Sequence, residues 1–178
     1  MYSYCLFCET MKCASVKRKI EQFSDCRVIQ PKVVQHTWSG GRMIDRENDL
    51  LPGYLFLYSE ERLDEFYPLR RLDGVLRILG NRDDGYALSG TDRQFALALL
   101  SLDGVIGRTP VYEEGQMIRL ADRAFAGIEA KILKVNHRNK RLQVELPFAD
   151  TLVKTWIEYE MAETDISAEL NVPEKPCD

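Results

Sequence analysis

Cysteine spacing comes closest to a chemically reactive or metal-binding pattern in this chain. Cys5 and Cys8 are separated by two residues, and Cys13 and Cys26 follow in the same N-terminal stretch. Four thiolates could hold zinc tetrahedrally. Tyr4–Cys8, however, has the composition of a strand, on which residues three apart point to opposite faces. We therefore interpret the four cysteines as buried apolar residues and predict no metal site.

Groups for covalent or acid–base catalysis are sparse. The chain has two histidines, His36 and His137, and neither stands in a motif with a nucleophile. No glycine-rich phosphate loop occurs. The carboxylates are scattered, and none is isolated in an apolar run that would suggest a raised pKa. The sequence therefore predicts a binding protein without cofactor rather than an enzyme.

Charge and composition limit the possible partners. A net charge of −4 argues against coating nucleic acid by bulk attraction, so any such contact requires a local basic patch. No apolar run approaches the roughly 18 residues of a membrane span, and the N-terminus lacks a signal-peptide pattern. We expect a cytoplasmic monomer with no membrane contact, in which the five cysteines are thiols.

The first elements that would position a site are a strand at residues 4–8 and an amphipathic helix. Thr10 is the predicted N-cap, and the helix runs to about Asp25. Helical spacing predicts a buried face of Cys13, Val16, Ile20 and Phe23. Basic side chains occupy its exterior, which is typical of a solvated helix face but also suits phosphate contacts.

A hairpin and a central strand follow this helix. Residues 27–38 are extended, interrupted by Pro31, and Ser39-Gly40-Gly41 predicts a turn into a short returning arm at Arg42–Ile44. Residues 45–49 are predicted to be a charged connection. Residues 54–58 are unbroken apolar and aromatic, the pattern of a strand covered on both faces.

The rest of the N-terminal part adds two helices and a strand. Residues 60–72 are helical by composition, with a kink or a late start caused by Pro68. Residues 75–79 form the fourth strand, and Ser89 caps a helix that runs to about Leu102, with Asp92 at the third helical position. Residues 1–103 are therefore predicted to form an α/β sandwich with an antiparallel sheet.

The hydrophobic pattern changes after residue 103. Residues 104–112 are a predicted linker, and residues 113–161 contain short alternating strands typical of a small SH3-like β-barrel. Residues 162–178 are acidic and are predicted to be a disordered tail. The fold class is thus α+β, with the barrel already formed of strands at rest.

Two motifs resemble a known family. Pro52-Gly53-Tyr54 at the start of an unbroken apolar strand, preceded by a strand containing Tyr4, resembles the N-terminal domain of the NusG/RfaH transcription elongation factors. Arg119–Gly127 is similar to a KOW motif, with Gly127 at its required glycine and Ala130 replacing a second common glycine. The resemblance covers residues 4–160, and within the family the chain resembles the specialised LoaP-like branch.

The resemblance implies a function on RNA polymerase. Members of the family bind the polymerase clamp helices through a hydrophobic depression, which would make this chain an operon-specific elongation and antitermination factor. The positions that match the depression are Phe7, Leu51, Pro52, Gly53, Tyr54 and Phe56, and we expect an accessible notch there. An aromatic cluster of this kind could also be plain core.

The resemblance also implies nucleic-acid contacts. Non-template DNA would meet basic residues of the first helix and of the segment before the fourth strand: Lys12, Lys17, Arg18, Arg70 and Arg71. A nascent RNA hairpin would meet the KOW domain, whose candidate residues are Arg119, Arg123, Lys131, Lys134, His137, Arg138, Lys140 and Arg141. The cluster at residues 137–141 is the predicted RNA contact, although a solvated turn has the same composition.

Departures from the family pattern keep two alternatives open. General NusG proteins couple polymerase to Rho or to the ribosome through a Phe-Gly-Arg segment, where this chain has Phe148-Ala149-Asp150. The reversed charge places that coupling in doubt. A ribosome- or RNA-associated structural protein that uses a KOW fold without polymerase is the other alternative.

Overall fold

The computed structural model describes residues 1–63, 65–83, 85–114, 117–120, 130–149 and 151–162. Its strands in chain order are β1 Tyr2–Cys8, β2 Arg27–Ile29, β3 Lys32–Ser39, β4 Arg42–Asp49, β5 Tyr54–Ser59, β6 Val75–Leu79, β7 Val105–Ile106, β8 Thr109–Glu114, β9 Met117–Leu120, β10 Lys131–Asn136, β11 Arg141–Phe148 and β12 Thr151–Met161. The α-helices are α1 Cys13–Phe23, α2 Tyr67–Arg70 and α3 Gly90–Ser101. No helix within these ranges is long and apolar enough to cross a membrane.

Strands rich in apolar side chains form an antiparallel sheet in the order β2-β5-β1-β6. Because successive strand residues point to opposite faces, β5 divides its side chains between two cores. Phe56 and Tyr58 pack in the core that holds Phe95 of α3. Leu55 and Leu57 pack in the core that holds Val16 and Ile20 of α1. The predicted sandwich of sheet and helices is confirmed for this part of the chain.

The cysteines are buried as predicted. Cys5 lies in the same core as Phe56, whereas Cys8, Cys13 and Cys26 lie in the core on the opposite face. All four are free thiols. Burial raises the pKa of the Cys8 thiol to about 12, which leaves almost no thiolate at neutral pH.

The first helix differs from the prediction at both ends. A 3₁₀ turn, Thr10–Lys12, precedes α1, and the N-cap of that turn is Glu9 rather than Thr10. At the other end Ser24 is extended, and its hydroxyl donates to the carbonyl of Ile20 at 2.9 Å. Phe23 is thus the last residue of α1 and is 50% exposed instead of buried.

The hairpin is longer than predicted. β3 and β4 pair along their whole length, from Lys32 opposite Asp49 to Ser39 opposite Arg42, so residues 45–49 are a strand and not a connection. Backbone pairing needs no apolar side chains, and the nearly fully exposed β4 carries charged ones. The helix expected at residues 60–72 is limited to Tyr67–Arg70 with Pro68 in its first turn, which agrees with the predicted late start.

The remaining strands lie in two further sheets. β7 pairs in parallel with β3, inside the segment predicted to be a linker. β8 to β12 form what we call the C-terminal sheet, in the order β10-β11-β12-β8-β9. The short strands expected within residues 113–161 are present as β9 to β12. Arg123, Gly127 and the tail from residue 163 lie outside the described residues.

Gly53 is expected to be intolerant of any side chain. Its φ is +88°, and an added Cβ would lie 2.8 Å from the Cys8 carbonyl oxygen. Left-handed backbone costs an L-residue about 1–2 kcal/mol, and the clash adds to that cost. Urea unfolding should show that Gly53→Ala loses about 2 kcal/mol or more. Gly41→Ala, with φ +77° and open space around its Cβ, isolates the backbone part and should lose less; equal losses would contradict the clash.

Candidate functional site

The Pro52-Gly53-Tyr54 corner is fixed against the end of β1. The Cys8 N–H donates to the Gly53 carbonyl at 2.7 Å, and the Tyr54 N–H donates to the Leu51 carbonyl at 3.1 Å. These bonds place the Tyr54 ring beside Phe7, with centroids 5.1 Å apart. The corner therefore presents two aromatic rings side by side at the edge of the buried core.

A ring from the C-terminal sheet fills the surface beside this corner. The Phe148 centroid lies 5.9 Å from Tyr54, 5.2 Å from Phe56 and 5.7 Å from Phe95. Phe148 is 2% exposed and Tyr54 7% exposed. The notch expected to be accessible is thus covered in this structure, and what covers it is a residue about 90 positions later in the chain.

Polar contacts flank the aromatic cluster. The Ala149 N–H lies 3.2 and 3.3 Å from the two carboxylate oxygens of Asp92, in the first turn of α3. The Tyr54 hydroxyl lies 3.4 Å from the Thr151 hydroxyl. Both contacts join the turn between β11 and β12 to the N-terminal part, so the Phe148 ring is held from both sides.

A second junction centres on the carboxylate of Glu158, which is 4% exposed. The His36 backbone N–H donates to Glu158 Oε1 at 2.6 Å, and His36 Nδ1 lies 2.6 Å from Oε2. Arg108 Nε lies 3.6 Å and Arg141 Nη2 3.5 Å from the same carboxylate. Arg141 also donates to the His36 carbonyl at 3.2 Å. The hairpin of the N-terminal part is thereby joined to β11 and β12.

Glu158 is a residue that the sequence analysis did not single out. It is 4% exposed and stands between the buried residues Ile157 and Tyr159. A signal for its burial was present in the sequence, because two apolar neighbours bracket the acid. The sequence could not show which cations neutralise it, since they come from separate segments.

The predicted DNA-contact residues of the N-terminal part lie on neighbouring segments. Lys12 Nζ is 2.8 Å from Asp73, close to Arg70 and Arg71 in the chain, and 3.2 Å from Glu9. The ammonium group of Lys12 lowers the pKa of Asp73 through this hydrogen bond. Part of the positive charge of Lys12 is therefore already neutralised within the protein.

The other cations of this group are held against neighbouring groups. The Arg70 guanidinium donates to the Tyr86 hydroxyl, and Arg71 stacks on the Tyr67 ring with its guanidinium carbon 4.6 Å from the centroid. Lys17 pairs weakly with Glu21 at 3.9 Å, and Arg18 Nε donates to a backbone carbonyl of its own helix. The structure places these side chains on the surface.

Most predicted RNA-contact residues are exposed on the C-terminal sheet: Lys131, Lys134, His137, Arg138 and Lys140. His137 Nδ1 lies 3.2 Å from the Tyr159 hydroxyl. Arg141 differs, because its guanidinium takes part in the Glu158 junction. Arg119 belongs to β9, and Arg123 lies outside the described residues.

Two comparisons with known proteins found a similarity, one to a family and one to a solved structure. The family model described as "Transcription termination factor nusG" matches residues 1–97. The solved structure described as "Domain interaction in Thermotoga maritima NusG" is 16% identical, with a TM-score of 0.53 over 88% of this chain and 93% of that chain. At this identity the structural likeness shows the fold alone. No curated protein matches the chain.

Proposed function

Because this chain belongs to the NusG family of transcription factors, we propose that it is an operon-specific elongation and antitermination factor of the LoaP-like type. Its surface for the polymerase clamp helices is formed by Phe7, Leu51, Pro52, Gly53, Tyr54 and Phe56. The observation that carries the proposal is the seating of the Phe148 ring on Tyr54 and Phe56. A surface that accepts one apolar side chain from a separate sheet can accept another from a partner helix.

The position of Phe148 also determines the first step of the proposed mechanism. Phe148 and the clamp helices would use one surface, so polymerase binds only molecules in which the C-terminal sheet has undocked. The apparent affinity for polymerase is then the intrinsic affinity reduced by the undocked fraction. Once bound, the factor favours the closed, transcribing clamp through its greater affinity for that state, which suppresses pausing and termination.

Nucleic-acid contacts follow from the position of the exposed cations. Lys12, Arg70 and Arg71 lie on adjoining segments of one domain, where non-template DNA would pass. In the C-terminal sheet, taken as the KOW domain, the turn at residues 137–141 would contact a nascent RNA hairpin. Its exposed cations support this assignment.

A general NusG-type factor that couples polymerase to Rho or the ribosome is the second candidate. The description of the matching family as a termination factor favours it. Against it, Ala149-Asp150 replaces the Gly-Arg of the coupling segment. Capture of Rho or of the ribosome together with polymerase would support it. Capture of ribosomal subunits without polymerase would support a structural KOW protein.

The polymerase surface is tested by Tyr54→Ala in a Phe148→Ala background. Tyr54 touches Phe148, so the single variant would both uncover the surface and remove a contact from it. In the background variant the surface is already free, and loss of a central tyrosine should weaken binding to purified polymerase about tenfold or more. Tyr67→Ala, an exposed tyrosine of α2 in the same background, is the control. Unchanged affinity for Tyr54→Ala would count against this surface.

The regulatory role needs a functional readout as well. In a transcription assay with purified polymerase on its own leader templates, the full chain is expected to increase read-through at terminators. Increased termination in the presence of Rho would instead favour the general factor.

A further inference from the structure

A groove of about 520 Å³ lies between the β3–β4 hairpin and the turn that joins β10 to β11. Trp38 and Met43 line it from the hairpin, and Arg138, Asn139, Lys140 and Arg141 line it from the turn, with Arg108 between them. None of these residues belongs to the surface covered by Phe148. We call this space the seam groove.

Trp38 is the unusual residue in the seam groove. It is 70% exposed, near the tip of the hairpin. Met43, directly opposite on β4, is 52% exposed. An indole in this position contributes little to the core of the protein. Its open face is a platform on which a planar, unpaired base can stack.

The charge lining the groove is predominantly positive. Arg138 and Lys140 are exposed, and among the described residues neither forms an ion pair with a carboxylate. The acid that lines the groove, Glu158, is buried and is already paired with Arg108 and Arg141. Asp45 is exposed, but its carboxylate lies 3.2 Å from Nε2 of the lining residue His36. A polyanion entering the groove would therefore meet mainly cations among the lining residues.

We propose that the seam groove binds a looped RNA segment, with one unpaired base stacked on Trp38 and the neighbouring phosphates on Arg138 and Lys140. This inference rests on the proposed RNA contact of the turn and extends it to a residue of the N-terminal part. Because the groove has one wall on each part, it exists only while the C-terminal sheet is docked, and the undocked, polymerase-bound form keeps the turn contact alone. Stacking on Trp38 requires an unpaired base, which a loop offers and a duplex does not. Thr37 and Asn139, which also line the groove, supply hydrogen-bonding groups suited to a ribose 2′-hydroxyl.

Substitutions in the two walls of the groove should differ in how they change the salt dependence of RNA binding. Trp38→Ala removes a stacking partner but no charge. It should weaken binding of the full chain to a fluorescein-labelled RNA stem–loop about tenfold or more, and leave the slope of log affinity against log salt unchanged. Arg138→Gln should weaken binding and reduce that slope by about 1. Trp38→Phe, which keeps a ring, should restore part of the affinity.

Matched controls separate the groove from other sites. Tyr67→Ala removes an exposed ring beside the predicted DNA-contact residues, and it should leave RNA affinity unchanged. A blunt RNA duplex of the same stem without the loop should bind weakly, as should the DNA version of the stem–loop. In a Trp156→Phe variant the remaining indole is Trp38, and its fluorescence should be quenched by the stem–loop.

The possible results distinguish this inference from the proposed function. If Trp38→Ala binds like the wild type while Arg138→Gln binds weakly, the RNA lies on the turn alone: the seam groove is overturned and the proposed RNA contact stands. If Tyr67→Ala rather than Trp38→Ala weakens binding, the groove is likewise overturned. Equal affinity for the blunt duplex contradicts base stacking. If no stem–loop binds, the groove and the RNA contact both fail, while polymerase capture is scored independently.

Discussion

Replacing Phe148 with alanine is expected to strengthen binding of the full chain to RNA polymerase about tenfold or more. The ring contacts Tyr54, Phe56 and Phe95 in the N-terminal part, and its removal leaves a cavity at the junction. Truncating a buried phenylalanine costs about 3–5 kcal/mol, and much of that loss falls on docking because these ring contacts cross the junction. The undocked fraction then rises, and the apparent affinity rises with it.

The measurement compares equilibrium binding to immobilised polymerase with the hydrodynamic radius of the free protein. Leu152→Ala is the matched control, since Leu152 is an apolar residue of β12 that is 65% exposed. It should change neither quantity. Undocking should increase the radius, so an unchanged radius together with unchanged polymerase affinity for Phe148→Ala would show that this ring does not govern access to the surface. Weaker binding would show that Phe148 itself contacts polymerase.

The elements that the sequence predicted correctly are those in which apolar residues follow a strong local pattern. The unbroken apolar run of β5 reads as a strand covered on both faces, and Leu55 and Phe56 do enter opposite cores. Val16 and Ile20, one helical turn apart, locate the buried face of α1. In each case the pattern of burial repeats within a few residues, so a short stretch of sequence is enough to predict it.

The elements that the sequence missed depend on distant partners. β4 carries alternating charges and could not be distinguished from a connection, because backbone pairing with β3 holds it in place. The seating of Phe148 on Tyr54 is a contact between segments that are far apart in the chain. No periodicity encodes which surface a second sheet will cover, so the covered state of the candidate site could be found only in three dimensions.

Glu158→Gln is expected to weaken docking of the C-terminal sheet at the second junction, the one centred on Glu158. The glutamine keeps the size of the side chain but removes the negative charge that pairs with Arg108 and Arg141 and that accepts the hydrogen bond of the His36 backbone N–H. The arginines lose their buried partner, but their side chains are 42% and 24% exposed, so water already offsets part of the cost. Part of this cost is relieved when the sheet undocks and the cations reach water. The expected result is an affinity for polymerase raised about tenfold.

Glu145→Gln separates this effect from a general loss of charge on the C-terminal sheet. Glu145 is paired with Lys154 of the same sheet at 3.5 Å, so its replacement leaves the junction intact and should not change polymerase affinity. Combining Glu158→Gln with Phe148→Ala gives the sharper result. Both changes act on one docking equilibrium, so their effects should saturate at the intrinsic affinity of the undocked form instead of multiplying. Fully multiplicative gains would mean that the two contacts control separate steps.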